Sequence, residues 1–239
     1  MLRTVLTALL WGLVAASSLV IGAVAGVVRD WNRRFVGLVL GFGAGALISS
    51  ISFELAEEGF RASGALAVAV GLAVGAVVFY VADTAVDRMG ASNGAQTAGL
   101  PLLLGALLDG IPEQAVLGIG IAGGAGVSLA LVVAIFVSNL PESIGSASDM
   151  KSAGHSVSRI VGGWTAIAAV CALATVGGYQ LQKVAGGALQ GGINGFAAGA
   201  LLVMLVGSMI PEATEKAREN AGLAAVLGFA VAAGLSLAD

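Results

Sequence analysis

Histidine and cysteine, which ligate transition metals through nitrogen and sulfur, are almost missing: the 239 residues contain one of each. The lone Cys171 excludes an intrachain disulfide framework and a cysteine metal cluster, and it reads as a small buried packing residue. The lone His155, in a polar connection after Lys151, reads as solvated rather than ligating. Charge is scarce as well. Asp, Glu, Lys and Arg make up 10% of the chain, far below the roughly 25% of soluble domains. Beyond Arg33-Arg34 no basic stretch occurs, so nucleic-acid binding has no support. Nothing resembles a nucleotide-binding loop, which leaves ATP-driven pumping unsupported.

What remains is apolar. Hydrophobic residues make up 58% of the chain and the mean hydropathy is +0.98. Segments of about 18 or more apolar residues suffice for a spanning helix. Eight are predicted: Thr4–Val28, Phe35–Phe53, Gly64–Ala82, Ala98–Ile121, Val127–Ala147, Ile160–Leu181, Ile193–Ile210 and Ala221–Ala238. Continuous apolarity, without the short alternating strands of a barrel, selects helices. The expected fold is an all-α integral membrane protein of eight transmembrane helices, one domain over residues 1–239. Met1-Leu2-Arg3 and the residues after it faintly imitate a signal peptide, but the apolar run to Val28 is too long for one and predicts a helix. Most of the 37 glycines lie inside the spans, where small residues let helix backbones approach closely.

The loops give an orientation. With the N-terminus outside, cytoplasmic connections hold Arg29, Arg33, Arg34, Arg88, Lys151, Arg159, Lys216 and Arg218, against Arg3, Arg61 and Lys183 on the other side. This excess places both termini outside a plasma membrane. The longest connection, Asp83 to Thr97, is then cytoplasmic.

Two stretches break the apolar pattern: Leu108-Asp109-Gly110-Ile111-Pro112-Glu113 and Val137-Ser138-Asn139-Leu140-Pro141-Glu142. A carboxylate inside a membrane is expensive and marks a pathway. A proline there removes an N–H where no water repairs the loss. The same choice recurs 29 residues apart (142 − 113), which predicts two facing, Pro-kinked helices, the fourth and fifth, around one central site. Asp109 and Glu113 are four apart on one helix face, as are Ser138 and Glu142, with Asn139 one position round. Carboxylates, an amide oxygen, a hydroxyl and freed carbonyls form the donor set of a hard or borderline divalent cation. A second tier brackets this centre. Glu54 and Glu58 end the second helix, and Ser208-Met209-Ile210-Pro211-Glu212 places a third Pro-Glu in the seventh. Glu54 then marks the outer mouth and Glu212 the cytoplasmic one.

At these residues the chain resembles the ZIP (Zrt/Irt-like) family of metal-ion transporters, whose members carry His-Asn-x-Pro-Glu-Gly on the fourth and fifth of eight helices. Here the corresponding runs are Asp109-Gly110-Ile111-Pro112-Glu113-Gln114 and Ser138-Asn139-Leu140-Pro141-Glu142-Ser143. The Ser208–Glu212 stretch is similar to the family's acidic segment in the seventh helix. The resemblance implies a metal site made by Asp109, Glu113, Asn139 and Glu142, with Ser138 as an optional ligand, and a homodimer. It also departs from the family. Asp109 and Ser138 stand where histidines are usual, Gly110 stands for an asparagine, the sixth helix offers no acid between Arg159 and Lys183, and no histidine-rich loop is present. Losing imidazole shifts the donor chemistry from zinc, the family default, toward manganese or iron.

The expected function is divalent transition-metal transport toward the cytoplasm, without a catalytic cofactor and without enzymatic activity. The partners are the metal ion, the bilayer and a second copy of the chain. Two alternatives use the same carboxylates: a cation- or proton-coupled exporter, and a metal sensor that transports nothing. An intramembrane aspartyl hydrolase needs a second aspartate at membrane depth beside Asp109. With Asp83 and Asp149 both expected at helix ends, that reading is set aside.

Overall fold

The computed structural model describes residues 2–92, 99–123, 126–186 and 188–237. Among them every regular element is helical. The reason is the solvent: in hydrocarbon each backbone N–H and C=O must find a partner within its own segment. The helices are α1 (Leu2–Val28), α2 (Arg33–Ser63), α3 (Ala65–Ser92), α4 (Gly99–Gly123), α5 (Leu129–Ser152), α6 (Val157–Val184), α7 (Leu189–Ala217) and α8 (Asn220–Ser236). Seven are long and apolar enough to cross a bilayer; α8, apolar but shorter, has 17 residues. The chain is therefore an all-α protein of multi-pass membrane character.

Helix ends carry recognisable stops. The Asn32 Oδ1 accepts the Arg34 N–H at 2.8 Å, and the Ser128 Oγ accepts the Leu131 N–H at 3.1 Å, capping α2 and α5. Gly64 ends α2 at φ 78°, a left-handed position that glycine adopts without steric cost.

Three expected boundaries fall seven or more residues short of the observed helices (63 − 53, 92 − 82 and 217 − 210). The second was expected to stop at Phe53, yet α2 continues to Ser63 through a π-helical turn, Ile51–Ala56. The third was expected to stop at Ala82, yet α3 runs on to Ser92. Its last ten residues were read as part of a loop; Asn93 to Ala98 lie outside the described residues. The seventh extends past Ile210 to Ala217, with a second π turn at Leu205–Met209. The cause is common to all three. Apolar runs end at the first charges, whereas backbone hydrogen bonding continues through them.

Packing divides the helices into two groups. In one, α1 lies against α5 and α6, and α4 lies against α6; in the other, α3 pairs with α7 and α2 with α8. The groups meet along α2 with α5 and α4 with α7. Exchanging α1 with α6, α2 with α7, α3 with α8 and α4 with α5 maps each of these pairings onto another or onto itself. Spans that alternate in direction and exchange in this way form an inverted repeat. The two π turns, in α2 and α7, are related by the same exchange.

Close approach depends on missing side chains. A Cβ on Gly118 would fall 1.9 Å from the Thr175 carbonyl oxygen, and one on Gly178 would fall 2.1 Å from that of Ala115, so α4 and α6 touch backbone to backbone. Trp164, Leu19, Ile160 and Met150 fill the core of the α1, α4, α5 and α6 group. Outward, α3 exposes Leu66, Val70, Val74, Val77 and Val81 along most of its length. Such a stripe is untenable in water and suits lipid.

Candidate functional site

The sequence-expected acids converge where the two groups meet. Pro112 and Pro141 each sit inside an unbroken helix, and each delivers the glutamate after it to the seam. Glu113 is 2% exposed. The Asn139 Nδ2 donates to its Oε2 at 2.7 Å, and the Ser138 hydroxyl lies 3.0 Å from its Oε1. The same hydroxyl and the same Nδ2 also lie 3.0 Å from the Ile135 carbonyl oxygen. A hydroxyl has one proton, so Ser138 serves the carboxylate or the carbonyl, not both. Asn139 thus donates to Glu113, and the Ser138 hydroxyl stands within hydrogen-bond distance of it. The Asn139 Oδ1 is buried and has no hydrogen-bond partner in the protein.

Asp109, Glu113, Glu142, Ser208 and Glu212 line a cavity of about 20 Å³ together with Leu40, Met204 and Met209. That is room for one water-sized particle, which needs roughly 10–15 Å³. Asp109, Glu142 and Glu212 also line a second space of about 310 Å³ with Asp83, Asp87 and Ser146. The small cavity therefore has a vestibule, and three carboxylates stand on the boundary between the two. The Glu212 carboxylate pairs with Lys216 one turn further along α7.

Glu54 lies elsewhere. Its Oε1 accepts hydrogen bonds from the Ser128 Oγ at 2.8 Å and the Ser236 Oγ at 2.9 Å, joining α2, the cap of α5 and the last turn of α8. It lines a separate space of about 460 Å³ with Glu57, Glu58 and Arg61. None of these residues lines the central cavity.

Of the seven residues singled out in the sequence, Asp109, Glu113, Glu142 and Glu212 share one cavity wall, Ser138 and Asn139 support Glu113, and Glu54 stands apart. Among the described residues no three His, Cys, Asp or Glu side chains form a ready-made metal cluster. The arrangement is a loose ring of oxygen donors with two thioethers beside it.

Asp83 and Asp87 were missed, because the third helix was ended at Ala82. Their spacing of four, the same as Asp109 to Glu113, was the available signal. The expectation that Asp83 lies at a helix end is corrected: it is within α3, nine residues before Ser92, and faces the vestibule. Gln114 was also passed over. It is fully buried and its Oε1 accepts the Thr175 hydroxyl at 2.7 Å. A Cβ at Gly110 would lie 2.7 Å from the Cys171 Sγ, so that side chain would have to turn aside for a larger residue there.

No protein-family model matches this chain, and no curated protein matches it, so its own residues carry the functional reading.

Proposed function

We propose that this protein is a transporter of divalent transition-metal ions, a divergent relative of the ZIP family, with eight spans counting the short α8. The observation that supports it most is the sharing of Asp109, Glu142 and Glu212 between a one-particle cavity and an open vestibule. Carboxylates so placed in a low-dielectric seam attract a cation strongly and leave it a hydrated route away. Glu113 supplies the deepest oxygen, oriented by Asn139 and Ser138. Such orienting partners commonly matter 10–100-fold, a rough range for metal affinity. An all-oxygen ring suits manganese or iron, and zinc stays a candidate through the family.

In this reading the vestibule is cytoplasmic, both termini are outside a plasma membrane, and the structure is in an inward-open state. The Glu54 space is the outer mouth, closed from the centre by the hydroxyl contacts of Glu54. Transport follows when the inverted halves rock about the central site. A homodimer belongs to the reading through the family resemblance.

The test is flux. Purified protein in liposomes loaded with a metal-sensing dye is challenged with zinc, manganese, iron and cadmium from either side. Influx that Glu113→Ala and Glu142→Ala both abolish supports the reading; influx unchanged in both sinks it. Running the gradient both ways separates an importer from an exporter. Metal binding without flux in either direction identifies a sensor.

One observation favours a rival. Asp83 and Asp109 line the same vestibule, which removes the reason for setting aside an aspartyl hydrolase. Asp83→Asn discriminates: an aspartyl enzyme loses all turnover of a membrane-embedded peptide, whereas a carrier keeps metal flux at a reduced rate.

A further inference from the structure

Three ion pairs are formed among the described residues, and one differs from the others. In Arg33–Glu215 the side chains are 74% and 69% exposed, and in Arg61–Glu57 they are 78% and 44% exposed. Solvated pairs of this kind contribute little, with a median of about 0–1 kcal/mol. In Lys216–Glu212 the lysine side chain is only 15% exposed and the glutamate 36%. An ammonium has three N–H donors, and the hydrogen bond found for this one within the protein goes to the Glu212 Oε1. Burying a four-carbon cation for a single acceptor is a poor bargain unless other acids gather around it. Here they do. Glu212 stands with Asp109 and Glu142 on both the cavity wall and the vestibule wall, and Asp83 and Asp87 line the vestibule beside them.

The position of the pair is equally specific. A Cβ on Gly145 would lie 3.4 Å from the Lys216 Nζ and 4.0 Å from the Glu212 Oε1. Gly145 is on α5, three residues after Glu142, so the ammonium sits against the helix that supplies that ligand. A methyl group at 145 would be in van der Waals contact with it. The ordinary account, an i,i+4 pair supporting an exposed helix, needs neither the burial nor the contact with α5.

We propose that the Lys216 ammonium is a tethered stand-in for the transported ion: it neutralises Glu212 when the boundary is empty and swings away when a divalent cation takes that carboxylate. This inference rests on the transport reading and names the residue that sets ion affinity at the boundary. Cargo binds only to the fraction of molecules in which Glu212 is free, so the apparent dissociation constant is raised by the occupancy of the internal pair. A substitute charge also spares the empty carrier a bare carboxylate at the seam when its halves rock.

The test is equilibrium binding of zinc and manganese to the full chain in detergent, by calorimetry, with liposome flux in parallel. Lys216→Met keeps the apolar stem and removes the charge. It is expected to tighten binding about fivefold, the weight of a modest ion pair, while slowing release and lowering maximal flux. Lys216→Arg holds the carboxylate in a planar fork and is expected to shift affinity the other way, weakening it severalfold. With Glu212→Gln as the background, both substitutions are expected to lose their effect on affinity.

A purely structural lysine predicts weaker or unchanged binding in Lys216→Met, and either result overturns the proposal while the transport reading stands. If Lys216→Met does not fold, unchanged or tighter binding in Lys216→Arg overturns it as well. Wild-type protein with no Glu142-dependent binding of either ion overturns both the proposal and the reading beneath it.

Discussion

The two ends of the seam hold acids in opposite ways. At one end the Glu54 Oε1 is tied by two neutral hydroxyls from α5 and α8, and its space has no wall in common with the central cavity. At the other end Glu212 is tied to a flexible ammonium on its own helix, and its walls belong to cavity and vestibule alike. A carboxylate on one helix held by donors from two others staples the three together, so releasing it moves backbone. A carboxylate held by a side chain four residues away can be released by one rotation. The first arrangement makes a closure and the second an exchangeable site, although both begin as a glutamate near a π turn.

The sharpest way to break this contrast is to exchange acids for amides. Glu142→Gln is expected to reduce metal flux to background, whereas Glu54→Gln is expected to leave measurable flux; equal losses in the liposome assay would erase the distinction between the ends. Next in size is accessibility. In a Cys171→Ala background, Ser146→Cys is expected to react rapidly with a water-soluble thiol reagent, and Ala134→Cys, buried on the same helix toward the Glu54 end, is expected to resist it. Rapid labelling of both positions would place water on both sides of the cavity.

Smaller effects sharpen the picture further. Asn139→Leu removes the 2.7 Å hydrogen bond to Glu113 and is expected to weaken metal binding roughly tenfold, read by calorimetry. Carboxylates must shed protons to bind metal, so loading is expected to fall as pH falls and recover as it rises; a flat profile of manganese binding from neutral to mildly acidic pH would contradict an all-carboxylate ring. The smallest effect belongs to the latch. Ser128→Ala with Ser236→Ala removes both hydroxyl contacts to Glu54 and also the Ser128 cap on the Leu131 N–H, hydrogen bonds that contribute about 0.5–1.5 kcal/mol each. It is expected to raise labelling of a probe cysteine at Ala134 severalfold, by populating a state open at the Glu54 end.

Much of this was legible in the chain because a membrane makes polarity conspicuous. Asp109, Glu113 and Glu142 stood out as acids within apolar runs and Glu212 as part of a Pro-Glu pair just past one, and all four share one wall. Asn139 was expected to offer its oxygen and instead turns its N–H toward Glu113, a choice of amide orientation that spacing does not encode. Asp83 and Asp87 escaped because a hydropathy boundary is not a helix boundary. Lys216 was counted only as a loop charge that fixes orientation. It packs against Gly37 on α2 and Gly145 on α5, contacts that no local pattern reveals. The π turns were equally invisible, since Ile51–Ala56 and Leu205–Met209 have compositions that any α-helix would accept.

Those widened turns carry a consequence for how the chain tolerates length changes. A π turn holds one residue more than its α counterpart needs, so removing a single residue from Leu205–Met209 would let α7 close into regular helix. Because the widened turn absorbs its extra residue locally, everything beyond it would keep its face, and Glu212 and Lys216 would stay at the seam with their pairing intact. The same deletion from the regular helix just before it would turn the downstream part by about 100°, the angular step of one residue, and carry both side chains away. The spare residue thus makes this one turn the place where α7 tolerates a loss.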